Sequence, residues 1–288
     1  MEIIGIRRAS RFSPNSILRD EEILHAVSER LKRLGYEVAI WSEDDFVREK
    51  PFASVIFSMA RGKETLCMLI RNEQKGACVV NPTLGIIESD RSKMTLIMEK
   101  RNIPIPPSVI ISFEKKDYDV LLQDIKYPCW IKRGDGCAQI AEDVSFVSDR
   151  AVLMQCCDSF SRRGIASAVI SEHLSGDLVK FYGVADTNFF YFYYPTASGS
   201  HSFSKFGLEE HNGVAQHFDF DLGALKACAD QTAKLVQLPI YGGDCIVAED
   251  GSFRLIDFND WPSFSRCTEQ AAEAIVTYIC KQLDGING

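Results

Sequence analysis

The sequence has no long apolar run and no excess of basic residues. No segment approaches the roughly 18 consecutive apolar residues that a membrane-spanning helix requires. Its 288 residues include 32 Lys and Arg against 40 Asp and Glu, a formal net charge of -8, whereas nucleic-acid backbones are bound by clusters of Lys and Arg. We therefore expect neither a membrane nor a nucleic acid as a partner.

The beginning of the chain also lacks the order of charges that marks a secretory signal. Its apolar stretch at 3–6 is short and comes before Arg7 and Arg8. A signal peptide instead carries its positive charges first and a longer apolar segment after them. We expect a cytoplasmic protein.

Short metal and nucleotide motifs are missing as well. The ten Cys include no CxxC pair, and Cys156 and Cys157 are adjacent, which is not a spacing of metal ligands. Most of the other Cys lie in apolar runs, which favours buried free thiols. Neither the Walker sequence GxxxxGKS/T nor GxGxxG occurs, so neither of these phosphate-binding loops is present.

Short apolar strands alternate with helices over the first ninety residues. Between the first two strands, Ile23, Val27 and Leu31 recur at helical spacing. Such alternation predicts a mainly parallel sheet covered on both faces. The predicted strands lie at 3–6, 38–41, 55–57 and 78–80.

Several polar residues follow these strands closely. Ligands collect beyond the carboxyl ends of parallel strands, so as a group these residues would form a substrate-facing rim. Taken singly, each also fits a solvated loop position. The residues are Arg7, Arg8, Asn15, Arg61 and Asn81.

Three prolines after a helix over 91–101 mark a boundary or hinge, at Pro104, Pro106 and Pro107. Beyond them we predict a smaller α+β unit, including a helix near 114–124, and then a last unit with an aromatic core strand, Phe189 to Tyr194. The expected fold class is α/β and α+β, with units at 1–90, 91–174 and 175–288.

The strongest candidate site is a hairpin near the end of the chain. Asp250 and Gly251 predict its turn, which lies about midway between Asp244 and Asp257. Asp257 and Asn259 are two residues apart, so they share one face of a strand. Two carboxylates and an amide oxygen suit Mg²⁺, which keeps its remaining positions for water and phosphate. Exposed polar positions on an amphipathic hairpin are the alternative.

Two lysines are placed where phosphate could bind. Lys93 lies at the start of a helix, and Lys132 ends the apolar strand Cys129 to Lys132 before a loop with two glycines. The glycines would let backbone N–H groups approach an anion closely. Either lysine alone could equally be a solvated surface residue.

The segment from Glu172 to Asp177 leaves one predicted strand and enters another. Its residues favour two interpretations equally: a hinge whose backbone pairs with the edge of a purine, or a plain turn in which Gly176 supplies an unusual dihedral angle.

The order Lys93, Lys132, Glu172 to Gly176, Asp244 and Asp257-x-Asn259 resembles the ATP-grasp superfamily. The resemblance covers about residues 80–262, and the first 80 resemble the α/β domain that precedes it in many members. It implies two α+β subdomains that clasp ATP. The residues it implies are Lys93 and Lys132 at the phosphates and the adenine region, Glu172, His173 and Leu174 at the adenine hinge, Asp177 at the ribose, and Asp244, Asp257 and Asn259 as ligands of Mg²⁺ or Mn²⁺.

The superfamily mostly makes an acylphosphate from a carboxylate and ATP, which an amine then attacks. The resemblance therefore implies a carboxylate–amine ligase with small-molecule substrates, and a homodimer in keeping with many members. A kinase acting on a hydroxyl and a non-catalytic nucleotide-binding module are the alternatives. The sequence departs from the usual pattern at Asp257, where Glu is common, at Asp177, and at Trp261-Pro262-Ser263, where Pro-Gly is common.

Two further residues are candidates for the reaction itself. The long polar loop at 195–219 reads as a lid, and Lys205 within it could reach the γ-phosphate. Its three His are spaced by ten and six residues, which is not a zinc signature. Arg266, shortly past the metal strand, could hold a substrate carboxylate by two hydrogen bonds.

Overall fold

Three sheets of four strands follow one another along the chain. The structure is a computed structural model that describes residues 2–13, 16–115, 120–136, 138–195 and 208–287. Each sheet is formed by strands from one continuous part of the sequence. The fold is therefore a succession of α/β and α+β units, as the sequence predicts.

The first sheet is parallel, with the strand order β2-β1-β3-β4. Its central residues, including Ile4 and Ile56, are fully buried because helices cover both faces. The predicted strand positions are confirmed. The elements are β1 Glu2–Ile6, α1 Ile17–Arg33, β2 Glu37–Trp41, α2 Glu43–Glu49, β3 Val55–Ser58, α3 Lys63–Gln74, β4 Cys78–Val80 and α4 Thr83–Ile87.

The second sheet is antiparallel, with the order β5-β8-β6-β7. The helix expected near 114–124 is wrong for its described residues, 114–115 and 120–124, none of which lies in an α-helix. Val120 and Leu121 are exposed and only Leu122 is buried, so no apolar stripe is available to hold a helix there. The elements are α5 Arg91–Lys100, β5 Ser108–Ser112, β6 Cys129–Arg133, β7 Val144–Val147, α6 Arg150–Arg162 and β8 Ser167–Glu172.

The third sheet is also antiparallel, with the order β10-β9-β11-β12. Gly251 has a φ of +79° in the turn that joins the last two strands, so the predicted hairpin is confirmed. No helix in the described residues is both long and apolar enough to cross a membrane. The elements are β9 Asp177–Val184, β10 Phe190–Tyr193, α7 Leu222–Val236, β11 Ile240–Val247, β12 Phe253–Asp260 and α8 Thr268–Asn287.

The two faces of the third sheet have opposite roles. One face packs on α7 through apolar residues such as Val179, Phe181 and Cys245. The other lines a cavity with Lys180, Asp244 and their neighbours. Helix α8 returns to the first sheet and packs beside α1 in a shared core.

A β-bulge in the hairpin shifts the alternation of side chains along β12. Asp244 pairs with Asp257, but the next residue, Cys245, pairs with Leu255, so Ile256 is the extra residue. In a regular strand Leu255 and Asp257 would point to the same face. The bulge instead leaves Leu255 in the apolar core and Asp257 at the cavity.

Asn81 joins the first sheet to the third. Its amide nitrogen donates to the Ile240 carbonyl at 2.8 Å, and its amide oxygen accepts from the Ile240 N–H, also at 2.8 Å. The side chain is fully buried. Asn81 is therefore a structural residue rather than part of a substrate-facing rim.

We expect Asn81→Leu to lower the free energy of unfolding by about 2–4 kcal/mol, because it leaves both backbone groups of Ile240 unpaired in the core. Denaturant titration measures the change. Asn188→Ala, at an exposed position in the turn after β9, is the control and should change stability by less than about 0.5 kcal/mol. Equal effects of the two substitutions would contradict the role given to Asn81.

Candidate active site

A cavity of about 720 Å³ lies between the second and third sheets. The first unit closes one end of it with Ser16, Arg19 and Asp20 at the start of α1. This volume is in the range of cavities that hold cofactors and small substrates. The cavity is therefore large enough for a nucleotide and part of a second molecule.

Four polar residues form a row across the third sheet on the cavity side. Tyr193 pairs with Lys180, Lys180 with Asp244, and Asp244 with Asp257, each in a neighbouring strand. Asn259 lies two residues beyond Asp257 and also lines the cavity. The hairpin thus brings Asp244, Asp257 and Asn259 together on one face.

The two carboxylates of this row have different electrostatic surroundings. Burial acts to raise the pKa of Asp257, but Arg91 and Lys132 outweigh it and hold that pKa below its ordinary value. Burial raises the pKa of Asp244, and Lys180 opposes this without cancelling it. The cations beside Asp257 therefore favour its ionised form. Asp244 lacks enough nearby positive charge, and a further cation close to it would favour its ionised form as well.

The donor set fits a magnesium ion. No group of three or more His, Cys, Asp or Glu suited to a metal occurs in the described residues. The candidate ligands are instead two carboxylates and one amide oxygen, those of Asp244, Asp257 and Asn259. Mg²⁺ is commonly held by one or two carboxylates with water and phosphate oxygens completing its shell. The raised pKa of Asp244 is consistent with a cation position beside it.

Lys132 crosses the cavity from the second sheet to the third. Its Nζ donates to the Ile256 carbonyl at 2.8 Å. Burial lowers the pKa of Lys132, and Asp257 acts in the opposite direction. The carbonyl that Lys132 meets belongs to the extra residue of the bulge, so the bulge positions both Asp257 and the lysine.

Arg91, and not Lys93, is the residue of α5 that lies at the cavity. Its Nη2 is 3.4 Å from both carboxylate oxygens of Asp257, and its Nη1 donates to the Arg133 carbonyl at 2.8 Å. Lys93 points away from the cavity and pairs with Glu88 and Asp90, with nearly half of its side chain exposed.

A sequence signal for Arg91 exists in the helical pattern. Arg91, Met94, Thr95 and Met98 are the buried stripe of α5, at positions i, i+3, i+4 and i+7. Lys93 lies off this stripe. The buried stripe therefore indicates Arg91, and not Lys93, as the residue of the first turn that faces the cavity.

The hinge segment lines the cavity through Glu172, His173 and Leu174. The N–H groups of Glu172 and His173 already donate to the carbonyls of Pro107 and Pro128. Among these three residues, Leu174 is the one whose N–H has no hydrogen-bond partner in the described part of the chain. A purine edge could therefore accept from Leu174 but not from the other two N–H groups.

Asp177 is committed to the protein interior and does not line the cavity. It is 2% exposed, and its two oxygens accept from the Gln216 and Phe218 N–H groups at 2.6 and 2.9 Å. In this arrangement Asp177 is not placed for the predicted ribose contact. Its carboxylate instead anchors the segment that leads into α7.

Four rings meet beside the hinge. His211 stacks on Phe146 with centroids 4.3 Å apart, and Trp130 contacts both rings edge-on. Trp130 also donates to the Nδ1 atom of His173 at 3.0 Å. Burial lowers the pKa of His173, and His211 adds to the effect, so the ring is neutral and suited to accept that hydrogen bond.

Arg266 lies at the cavity with its guanidinium 4.4 Å above the Tyr193 ring. It makes no hydrogen bond or ion pair with any residue of the described ranges. Its N–H groups are therefore available to an anionic ligand. Lys205, the other predicted reaction residue, lies outside the described residues.

The rim proposed for the first unit is only partly realised. Arg8 and Arg61 line the cavity, paired with Asp20 and Asp260 respectively. The side chain of Arg7 is about half exposed and lies 3.9 Å from the Glu21 carboxylate. Asn15 lies outside the described residues.

No protein-family model and no curated protein sequence matches this chain. Solved structures do. The D-alanine–D-alanine ligase from Bacillus anthracis, in its complex with ATP, aligns with 98% of this chain and 97% of its own at 13% identity and a TM-score of 0.67. A RimK-domain ATP-grasp protein from Sphaerobacter thermophilus aligns over 97% and 100% at 14% identity and a TM-score of 0.65.

A second D-alanine–D-alanine ligase, from Coxiella burnetii, aligns with 100% of this chain and 97% of its own at 11% identity and a TM-score of 0.67. Identities this low carry information about the fold and not about the reaction. The alignments cover nearly the whole chain, and its one parallel and two antiparallel sheets match the fold of these structures. The chain has the ATP-grasp fold.

Proposed function

We propose that this protein is an ATP- and magnesium-dependent ligase that activates a carboxylate as an acylphosphate and couples it to an amine. The observation that carries the proposal is the pairing of Asp244 with Asp257 on a cavity whose opposite wall presents Lys132 and Arg91. A wall of anionic oxygens facing a wall of cations suits a metal–triphosphate ligand. The ligases among the similar structures support the same reaction class.

Nucleotide binding would use both walls. The base would lie at the hinge, where the Leu174 N–H can donate to it, and the phosphates would lie between Lys132 and the polar row. Asp244, Asp257 and Asn259 would hold Mg²⁺, which supplies charge neutralisation of the phosphate oxygens. Lys132 and Arg91 would neutralise further charge as the phosphoryl group is transferred.

The acid substrate would enter from the end of the cavity that the first unit closes. Arg266 is positioned there by Tyr193 and can bind a carboxylate through two parallel N–H donors. No side-chain nucleophile is required, because the substrate carboxylate attacks the γ-phosphorus directly. Closure of the walls would exclude water, which hydrolyses acylphosphates.

We expect Mg-ATP at about 100 times its Kd to stabilise the protein by roughly 2.7 kcal/mol, and Asp257→Asn to abolish this shift. Thermal melting with and without Mg-ATP measures it. Asp250→Asn, in the exposed turn of the same hairpin, is the control and should retain the full shift. An unaltered shift in Asp257→Asn would remove the metal role, and no shift in the wild type would refute the nucleotide site.

We expect Arg91→Met to weaken Mg-ATP binding by at least tenfold, because it removes a cation beside Asp257, whereas Lys93→Met should change it less than twofold. Calorimetric titration of Mg-ATP measures both variants. Melting without nucleotide checks that each variant is folded. The reverse ranking would show that Lys93, as first expected from the sequence, contacts the phosphates.

If the nucleotide site is present, ADP release in the presence of paired acids and amines tests the ligase reaction. A ligase should release ADP faster only when both substrates are supplied, or when hydroxylamine replaces the amine and converts the acylphosphate to a hydroxamate and phosphate. A hydroxyl compound that is phosphorylated without any amine would identify a kinase instead.

A further inference from the structure

Lys180 is a charged residue at the centre of the third sheet. It lies on β9 between Tyr193 and Asp244 in the polar row. Its neighbours on the same face of that strand are Leu178 and Tyr182. A charged lysine among such residues is stabilised by nearby acids. Its acidic neighbour Asp244 is also a candidate metal ligand.

The ammonium group of Lys180 is held only loosely. Its Nζ is 3.4 Å from Asp244 Oδ2 and 3.3 Å from Glu209 Oε1. Charge-assisted hydrogen bonds are usually 2.7–2.9 Å long. Lys132, in contrast, makes a 2.8 Å hydrogen bond to a backbone carbonyl. Neither acid thus holds Lys180 by a hydrogen bond of that length.

Lys180 also remains charged. Burial acts to lower its pKa, but Asp244 and Glu209 outweigh burial and raise that pKa above the ordinary value. The side chain is 20% exposed, so its ammonium keeps contact with the open cavity. A positively charged group therefore lies beside one of the proposed metal ligands.

We propose that Lys180 is a phosphate-binding residue that exchanges partners during the reaction cycle. Its ammonium neutralises Asp244 while no cation lies there, and it moves to the transferring phosphoryl group when a divalent cation takes its place at Asp244. The proposal rests on the function proposed above, since it requires the nucleotide and the metal.

The geometry of the row allows this exchange. Directly paired residues on neighbouring strands have Cα atoms about 4.5–5.5 Å apart, so a cation between Asp244 and Asp257 lies within reach of the lysine side chain. A phosphate oxygen on that cation would be equally close. Glu209, on the 3₁₀ turn Leu208–Asn212, would remain as the second acid beside the ammonium.

The exchange has a signature that a purely structural ion pair lacks. If Lys180 competes with the metal for Asp244, its removal should strengthen binding of the metal alone. If Lys180 also binds phosphate, the same removal should weaken binding of the nucleotide. An ion pair that merely stabilises the fold would change both affinities in one direction, or neither.

We expect Lys180→Met to bind Mn²⁺ alone about tenfold more tightly than the wild type and to bind ATP in saturating Mn²⁺ about tenfold more weakly, from the charge removed at each ligand. Titration calorimetry measures ATP, and the electron paramagnetic resonance of free Mn²⁺ measures the metal. Lys180→Arg should recover most of the ATP affinity. Lys234→Met, an exposed lysine on α7, is the control for loss of one positive charge.

Opposite shifts in the two affinities support the role of Lys180. Shifts of the same sign, or changes below twofold in both, overturn it while leaving the nucleotide site intact. A wild-type protein that binds neither Mn²⁺ nor ATP overturns the proposed function itself, and this assignment with it. Melting temperatures of the unliganded variants show whether a loss of affinity is a loss of folding.

Discussion

Two carboxylates side by side on a sheet repel each other unless cations lie close to them. Asp244 and Asp257 are such a pair, and much of the cavity is arranged around the problem they create. Arg91 and Lys132 approach Asp257 from the second unit, and Lys180 approaches Asp244 from its own sheet. These cations come from different elements. The negative charge of the two carboxylates is therefore balanced only when both walls of the cavity are in place.

The bulge at Ile256 makes this constraint compatible with a stable sheet. In a strand without the bulge, Leu255 and Asp257 would share one face, so either Leu255 would leave the apolar core or Asp257 would be buried among apolar side chains. The extra residue shifts the alternation of side chains, so Leu255 faces the core and Asp257 faces the cavity. It also turns a carbonyl toward Lys132. A single irregularity in the hairpin thus supports packing, metal ligands and a phosphate-facing lysine together.

The hairpin could be predicted from sequence because its information is local. Asp250-Gly251 specifies the turn, and the spacing from the turn brings Asp244 to within one residue of Asp257 across the hairpin. The extra residue Ile256 then makes the two direct partners. The bulge could not be predicted, because nothing in the local residue pattern of β12 marks Ile256 as an extra residue.

Residues whose role depends on helix phase or on distant partners were harder to assign. The buried stripe of α5 contains the signal for Arg91, yet a lysine two residues away matched the expected chemistry better. Asp177 was assigned to the ribose because it follows the hinge, but its oxygens are occupied by backbone N–H groups some forty residues later in the chain. Contacts at that separation leave no trace in a local pattern.

The packing of the sheets determines which parts of the molecule can move relative to each other. The first sheet shares a core with α8 and with residues of the third sheet, such as Tyr182 and Trp261. The second sheet has a separate core of its own with α6. The cavity therefore lies between a large body made of the first and last parts of the chain, onto which α5 packs, and a smaller body made of β5 to β8 with α6. Its width can change by rotation of the smaller body without opening either core.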